Sequence, residues 1–199
     1  MILDLEKLVD KYNLDIRGLI HIGGNTGGEV PIYEKLGIDA IYFEPVPASF
    51  QQLKEKVGDK AINCALGNFN GTAKMYVASD NGMSSSLMEP LLHKTQYPQI
   101  TYDTTIEVDV CRLEDILTNP QRYNMINIDV EGYTLEVFKG AESIIETMDY
   151  IMAEVNNAEL YRGCVLVDEL DTFLSRFGFS RVEVDWVGKT WGDALYIKK

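Results

Sequence analysis

The chain has 199 residues, 46% hydrophobic and 25% charged, proportions that predict a globular protein with a single domain over residues 1–199. It has 18 Lys and Arg against 31 Asp and Glu, a formal charge of −13, so we expect no nucleic acid partner because the surface would repel phosphates. The sequence shows neither a signal-peptide pattern nor an apolar stretch of membrane-spanning length, and we therefore expect a cytoplasmic protein without a membrane partner.

The first predicted helix covers residues 4–12, where apolar residues recur at helical spacing behind Asp4, a residue type that caps helices. Residues 18–45 then predict a strand, a glycine loop, a helix and a second strand. The loop has the sequence HIGGNTGGE at 21–29 and interrupts the apolar pattern abruptly. This order predicts a β-α-β unit.

The glycine loop favours a nucleotide-type ligand. Glycine has no Cβ, so a ligand can approach the main chain, and the N–H groups that begin the next helix point towards it. Glu44 lies 20 residues after Gly24, where the second strand of such a unit presents a carboxylate to a ribose diol. Thr26 and Glu29 leave another interpretation open, in which the loop is a tight turn closed by a capping box.

The alternation of apolar stripes and apolar runs continues to the end of the chain and predicts a mostly parallel sheet with helices on both faces. The last two strands are joined by a loop around Gly188 that is too short for a helix, so they must pair antiparallel. The predicted helices cover 47–57, 113–117, 135–148 and 166–177, and the predicted strands cover 61–66, 124–132, 150–155, 179–187 and 194–198.

Residues 68–112 break this alternation because helical periodicity disappears. The alternating stretches 73–78 and 106–110 predict an antiparallel pair inserted beside the main sheet. The loop at 79–105 is long for a compact domain and is therefore either functional or mobile.

Polar residues lie at or near the carboxyl ends of several of the predicted parallel strands. They occupy positions 21–25, Glu44, positions 63–64 and positions 129–131. Ligands of open parallel sheets bind outside the carboxyl ends of the strands, so these residues should meet at one edge. The three cysteines, Cys64, Cys111 and Cys164, are widely spaced and indicate free thiols rather than disulfides or a metal cluster.

Six stretches carry a resemblance to a known group of enzymes. They are HIGGNTGGE at 21–29, YFEP at 42–45, NCALG at 63–67, MSSSL at 83–87, IDVEGYTLEVFKGA at 128–141 and WGDALY at 191–196. Together they resemble the FkbM family of S-adenosylmethionine-dependent methyltransferases, in the same order and over most of the chain. The stretch at 128–141 is the most specific of them, since the glycine loop alone also suits dinucleotide enzymes.

The resemblance implies the α/β, Rossmann-like class I methyltransferase fold, a seven-stranded, mostly parallel sheet with an antiparallel last strand. It implies S-adenosylmethionine as the cofactor, with its methionine part in the glycine loop, its ribose on Glu44 and its adenine beside residues 63–65. The cofactor-binding residues that it implies are His21, Gly23, Gly24, Asn25, Gly27, Glu29, Glu44, Pro45, Asn63, Cys64, Ala65 and Asp129.

The resemblance also places Asp129 near the transferable methyl group, with residues 84–86, Glu131, Glu154 and Tyr161 facing the acceptor. A hydroxyl acceptor benefits from a base, for which Asp129 is the first candidate and Glu131 and Glu154 the next. His93 in the 79–105 loop is a weaker candidate. No metal site is assigned, because the carboxylates could hold a hard cation or act unaided.

Many members of the family begin the glycine motif with an acidic residue, where this chain has His21. The histidine could contact the cofactor's amino group or be hydrogen-bonded inside the sheet edge. The resemblance implies O-methylation of a small-molecule hydroxyl on a sugar, glycoside or polyketide-type metabolite. The alternatives are an NAD-dependent oxidoreductase and a non-catalytic cofactor-binding protein of the same fold. The sequence indicates no oligomeric state.

Overall fold

The structure, a computed structural model, describes residues 2–199. The strands are β1 (Gly18–Ile22), β2 (Asp39–Phe43), β3 (Ala61–Ile62), β4 (Ala65–Leu66), β5 (Gly71–Val77), β6 (Thr104–Cys111), β7 (Met125–Ile128), β8 (Tyr150–Asn156), β9 (Phe179–Val187) and β10 (Trp191–Lys198). The helices are α1 (Leu5–Tyr12), α2 (Val30–Lys35), α3 (Pro47–Val57), α4 (Leu92–Gln96), α5 (Leu113–Ile116), α6 (Thr134–Lys139), α7 (Glu142–Ile145) and α8 (Val167–Ser175), with short 3₁₀ turns at Gly58–Lys60 and Pro120–Arg122.

The main sheet has seven strands in the order β3-β2-β1-β7-β8-β10-β9. Strands β3, β2, β1, β7 and β8 are parallel, and β10 runs antiparallel between β8 and β9. This confirms the predicted fold class and the predicted antiparallel pairing of the last two strands. Strand order reverses at β1, which lies between β2 and β7, so the carboxyl ends of these three strands form the edge where a ligand is expected.

Side chains alternate between the two faces of the central strands, and both faces are covered by helices. Ile20 and Ile22 of β1 belong to a layer packed under α6, α7 and α8, which contains Phe138 and Leu174. Leu19 belongs to the opposite layer under α1, α2 and α3. Because both faces of β1 are buried, its position and the direction of the loop after it are fixed by packing on both sides.

The predicted third strand at 61–66 is wrong, because it is two strands in two sheets. β3 pairs with β2, whereas β4 pairs parallel with β6 in a three-stranded sheet of order β4-β6-β5. The chain turns at Asn63, whose side-chain amide donates to the backbone carbonyls of Glu44 at 2.8 Å and Pro45 at 3.1 Å. The antiparallel pair predicted in the insertion is present as β5 and β6.

One local prediction about a helix is also wrong, and one interpretation left open by the sequence is not what the structure has. The predicted helix at 135–148 is two helices, α6 and α7, and a Cβ on Gly140 between them would lie 1.9 Å from the backbone oxygen of Gly67. The close approach of Gly67 therefore accompanies a break at a residue that already weakens helices. The capping box is absent at α2, which begins after Glu29 without a side-chain capping bond. The Asp4 cap of α1 is confirmed, since its side chain accepts from the backbone N–H of Lys7.

Residues 79–103, which we call the cap segment, fold over the carboxyl edge of the main sheet. Backbone N–H groups of Leu91 and His93 both donate to the carbonyl of Leu160, and Pro90 forms a bridge with Tyr161. Trp191 of β10 donates from Nε1 to the Tyr97 hydroxyl at 2.7 Å. The segment is thus hydrogen-bonded to two neighbouring parts of the fold.

None of the helices within residues 2–199 is long and apolar enough to cross a membrane.

Candidate active site

A first cleft opens where β1, β2 and β7 end. It holds about 530 Å³ of empty space, solvent at its mouth included. The cap segment supplies one wall through Gly82, Met83 and Ser85. The predicted cofactor residues that line this cleft are Gly23, Asn25, Glu44, Pro45, Cys64, Ala65 and Asp129.

The glycine loop is attached to both neighbouring strands. The N–H groups of Gly23 and Gly24 donate to the carbonyl of Phe43, and the N–H of Asp129 donates to that of Ile22. Gly23 has a φ of +85°, and a Cβ there would lie 1.9 Å from the backbone oxygen of Asp129. Only glycine lets the loop and the end of β7 approach this closely, and that approach forms the floor of the cleft.

Glu44 is the buried carboxylate of the first cleft, with 4% of its surface exposed. Its two oxygens accept the backbone N–H groups of Asn25 at 2.8 Å and Val46 at 2.7 Å. Burial raises the pKa of Glu44 to about 7, against the lowering effect of these two hydrogen bonds. Each carboxylate oxygen keeps a lone pair for a hydroxyl donor, so the group suits a ribose diol.

His21 does not line the first cleft, and its ring is buried on the opposite face of β1, with 1% exposed. Nδ1 of His21 lies 3.2 Å from the Tyr33 hydroxyl, which accepts from the Asn127 side-chain amide at 2.6 Å. Burial lowers the pKa of the His21 imidazole, which favours its neutral form. The structure agrees with the second interpretation of His21 given above, in which the histidine is hydrogen-bonded inside the sheet edge.

Four further predicted cofactor residues lie around the first cleft without lining it. Gly24 and Gly27 pack against Leu53 of α3, where a Cβ would come within 3.0 Å and 2.9 Å of its methyl groups. Glu29 lines a separate depression with Tyr33. The Asn63 side chain is turned to the backbone after β2, as described above. These four residues pack around the glycine loop or the neighbouring backbone and do not form the surface of the first cleft.

Asp129, Glu131 and Glu154 form a compact carboxylate cluster in which one oxygen of each lies within 4.8 Å of the others. Desolvation raises the pKa of Glu131 and of Glu154, and the charges of the neighbouring carboxylates raise both further. Glu131 has a φ of +52°, rare for a residue with a side chain. Its carbonyl accepts the Ser86 hydroxyl at 2.7 Å. As a set of oxygen ligands, the cluster could also hold a hard cation.

A second cleft, with about 780 Å³ of empty space, lies on the other side of the cluster. Met83, 61% exposed, lines both clefts, so they adjoin at this side chain. Asp129 lines the first cleft, whereas Glu131 and Glu154 line the second. The other lining residues of the second cleft are Asp80, Ser84, His93, Tyr97, Ile100, Leu160, Val187 and Trp191, with no lysine or arginine among the lining residues that the structure describes.

A chain of side-chain hydrogen bonds leads from the cluster into the cap segment. Tyr161 donates to Oε2 of Glu131 at 2.7 Å, and its hydroxyl lies 3.3 Å from that of Tyr102. The Tyr102 hydroxyl lies 2.9 Å from Nδ1 of His93. Sequence reasoning placed Tyr161 near the acceptor but missed Tyr102, Tyr97 and Trp191. The density of aromatic residues between positions 93 and 102 was the available signal.

Comparison with known proteins identifies the family. The model of the methyltransferase FkbM domain matches residues 21–181. The 2-O-methyltransferase NoeI of Sinorhizobium fredii (strain NBRC 101917 / NGR234) is 24% identical over 159 residues, which are 73% of this chain and 65% of that protein. The chain thus spans less than two thirds of the length of this relative.

Solved structures show the same fold. Magnesium protoporphyrin IX methyltransferase from Synechocystis PCC 6803, with bound S-adenosylmethionine, has a TM-score of 0.56 at 10% identity, over 98% of this chain and 76% of that one. The 1,6-didemethyltoxoflavin-N1-methyltransferase of Burkholderia thailandensis, with bound 1,6-didemethyltoxoflavin and S-adenosylhomocysteine, has a TM-score of 0.53 at 10% identity, over 98% of this chain and 76% of that one. The family match over residues 21–181 favours a methyltransferase domain over the oxidoreductase alternative. The chain belongs to the FkbM methyltransferase family, whose domain model covers most of its length.

Proposed function

We propose that this protein is an S-adenosylmethionine-dependent methyltransferase that transfers the methyl group to a hydroxyl oxygen of a small molecule bound in the second cleft. The observation that carries the proposal is the position of the carboxylate cluster. It lies where the two clefts adjoin, with Asp129 on the side of the first and Glu131 and Glu154 on the side of the second. This arrangement would put a base beside an acceptor hydroxyl that faces the cofactor.

The first cleft fits S-adenosylmethionine. Its lining includes the backbone of Gly23, which approaches the end of β7 closely, and the Glu44 carboxylate can accept two ribose hydroxyls. Cys64 and Ala65 form an apolar wall for the adenine. When bound, the cofactor supplies an activated sulfonium methyl, so the protein mainly has to orient the acceptor and exclude water.

Glu131 is the residue that we assign as the base, in place of Asp129. It lines the second cleft, where the acceptor would bind, and Asp129 lines only the first. The raised pKa of Glu131 makes it a better proton acceptor than an ordinary carboxylate once it is ionised. Asp129 would lie beside the methyl group, as the family resemblance implies.

The charges of the second cleft favour a neutral or cationic acceptor. Asp80, Glu131 and Glu154 line it without a compensating lysine or arginine among the described lining residues. A phosphorylated or nucleotide-linked acceptor would be repelled there. Trp191 and Tyr97 offer flat apolar surface for a sugar ring. The oxygen specificity is supported by the relative named as a 2-O-methyltransferase.

The test is a transfer assay with trideuteromethyl S-adenosylmethionine and a panel of neutral methyl glycosides, with glucosamine as a cationic member and UDP-glucose as an anionic one. Mass spectrometry of the products locates the label. We expect a trideuteromethyl ether on a neutral member and none on UDP-glucose. Labelling confined to nitrogen, or transfer to UDP-glucose in preference to neutral glycosides, would overturn the proposal.

A further inference from the structure

Two of the three cysteines lie side by side behind the wall of the first cleft. Cys64 comes just before β4 and Cys111 is the last residue of β6, and the parallel register of these strands pairs Leu66 with Cys111. Side chains two residues apart along extended chain point to the same face, so Cys64 lies on the same face as Leu66 and Cys111. Both cysteines belong to the apolar layer under α6, α7 and α8. The Cys64 thiol donates a hydrogen bond to the Cys111 sulfur, and we call the two residues the thiol pair.

The thiol pair connects the first cleft with a separate depression on the protein surface. Cys64 is 4% exposed and lines the first cleft. Together with Cys111, which is half-buried, it also lines an open depression with about 860 Å³ of empty space, solvent at its mouth included. A small molecule can therefore reach Cys111 without entering the first cleft.

The charges around this depression select the kind of reagent that it admits. Asp109 and Asp115 line it, with no lysine or arginine among the described lining residues. Clefts lined by one sign of charge raise the local concentration of small molecules of the opposite sign. A cationic reagent should therefore react with the thiol pair faster than an anionic one.

We propose that the thiol pair is a redox modification site, which closes to a disulfide by exchange with a small cationic disulfide and thereby weakens binding in the first cleft. Formation of the Cys64–Cys111 bond needs no bound ligand. The effect on S-adenosylmethionine rests on the proposed function, which places that cofactor in the first cleft.

The effect on the first cleft follows from which partner can move. A disulfide holds its sulfur atoms about 2 Å apart, closer than two thiols in hydrogen-bond contact. β6 is the central strand of its sheet and is paired on both sides, so the position of Cys111 is fixed. Cys64 lies at the bend between β3 and β4, where the chain passes from one sheet to the other. Closure should therefore draw Cys64 towards Cys111 and displace the wall that faces the adenine.

The exchange is balanced in atoms and electrons. The Cys111 thiolate attacks one sulfur of the small disulfide, whose sulfur–sulfur bond breaks and releases a thiolate that takes up a proton. Cys64 then loses its proton and attacks the Cys111 sulfur, and the second small thiolate leaves and is protonated. The two cysteines together lose two hydrogen atoms, and one small disulfide becomes two thiols.

The environment of each thiol sets the order of these steps. Burial raises the pKa of Cys64 to about 12, and the neighbouring Cys111 adds to the effect through its charge and its hydrogen bond. Cys64 therefore stays protonated while the reagent reacts at Cys111. The first exchange removes the contribution of a charged Cys111, whereas burial persists, so the rate of closure should rise with pH.

The first experiment maps the disulfide after treatment of the reduced protein with cystamine, a cationic disulfide. Once free thiols are alkylated, trypsin leaves the three cysteines in the separate peptides 61–74, 95–112 and 163–176. We expect peptide 61–74 to be joined to 95–112, with dithiothreitol reversing the link, and closure to be slower with oxidised glutathione, which is anionic. Cystamine that stays attached to Cys111 without a linked peptide would overturn the proposal.

The second experiment measures the affinity for S-adenosylhomocysteine by calorimetry, before and after cystamine. Closure should weaken binding by about tenfold, the effect of a small misfit in an apolar pocket. Cys111→Ser should bind like the reduced wild type and should not respond to cystamine, and Cys111→Ala replaces it if it does not fold. An unchanged affinity after closure, or an equal loss in the Cys111 variant, would overturn the proposal.

Cys164→Ala is the matched control. Cys164 is also a buried free thiol, but it packs with Leu160 and Tyr161, and its thiol donates to the carbonyl of Ala158 at 3.8 Å. The variant should respond to cystamine as the wild type does. Loss of the response in Cys164→Ala would assign it to the wrong pair of thiols and overturn the proposal.

Failure of the proposed function has a different signature. Reduced protein that binds no S-adenosylhomocysteine would overturn the cofactor assignment, while peptide mapping still decides whether the bond forms. Amide hydrogen exchange then replaces calorimetry as the measure of the cleft wall. Closure should change the exchange of peptide 61–74 and leave that of 163–176 unaltered, and no change in 61–74 would overturn the proposal.

Discussion

Tyr161 donates a 2.7 Å hydrogen bond to Oε2 of Glu131 and thereby ties the loop after β8 to the turn after β7. The bond lowers the pKa of Glu131, while desolvation and the charge of Asp129 raise it. A carboxylate held between these opposing effects can be ionised before the reaction and still accept a proton during it. Tyr161 is therefore expected to control the pH at which Glu131 is ionised and able to act as a base.

Tyr161→Phe should move the acidic limb of the kcat/KM profile to higher pH. Without the donor, Glu131 keeps its desolvation and loses a hydrogen bond to its charged form, so its pKa rises and more alkaline conditions are needed to ionise it. The profile would be measured with the glycoside found by the transfer assay. A limb that stays in place or moves to lower pH would exclude Glu131 as the group that it reports.

Glu44→Gln should weaken binding of S-adenosylhomocysteine. The ribose would lose a charged acceptor, a change worth about 2 kcal/mol, or roughly 30-fold in affinity. Calorimetry measures the change, and Glu55→Gln on the exposed side of α3 serves as the control. Unchanged affinity in Glu44→Gln would place the ribose elsewhere.

Glu44 should also make the free enzyme less stable as the pH rises. Burial raises its pKa from 4.5 to about 7, so the protonated form is favoured by folding. The stability that the protonated Glu44 carboxyl contributes is fully present below the unfolded pKa and is lost as the pH rises through about 7. The free energy of unfolding falls by about 3 kcal/mol over this range. When urea unfolding is measured across this pH range, Glu44→Gln should lack the part of the decline in stability that is due to Glu44. An identical decline in the variant and the wild type would contradict the claim that burial raises the pKa of Glu44.

Gly23→Ala should destabilise the fold strongly. Its Cβ would lie 1.9 Å from the Asp129 oxygen at a φ of +85°, so we expect a loss of about 3 kcal/mol or more. Gly28→Ala in the same loop is the matched control, because a Cβ there meets no atom within 4 Å, and it should change stability by less than about 0.5 kcal/mol. Chemical denaturation of both variants checks the contrast, and equal effects would mean that the floor of the cleft tolerates a side chain.

The main sheet and its strand ends were predictable because their signals are local. The glycine loop, the carboxylate after β2 and the apolar runs of β1 and β7 each follow from a short window of sequence. The predictions that were wrong, the single strand at 61–66 and the single helix at 135–148, concern breaks that depend on contacts between distant segments. The bend at Asn63 is held by carbonyls after β2, and the break at Gly140 accompanies the approach of Gly67.

The candidate site was predictable to a similar extent. The cluster of Asp129, Glu131 and Glu154 could be anticipated because Asp129 and Glu131 follow β7 and Glu154 lies near the end of the neighbouring parallel strand β8. The path of the cap segment could not, since its irregular sequence has no periodicity and its position depends on hydrogen bonds to Leu160 and Trp191. Tyr102, which continues the hydrogen bonds from Tyr161 into the cap segment, could therefore be placed only in the folded protein.

A crystal structure with S-adenosylhomocysteine bound tests the central claim, that methyl transfer takes place where the two clefts adjoin. We predict the ribose on Glu44 and the sulfur beside Met83 and Asp129, with its open side towards Glu131. A sulfur atom that faces away from the second cleft, or a cofactor seated in the depression beside Glu29, would contradict it.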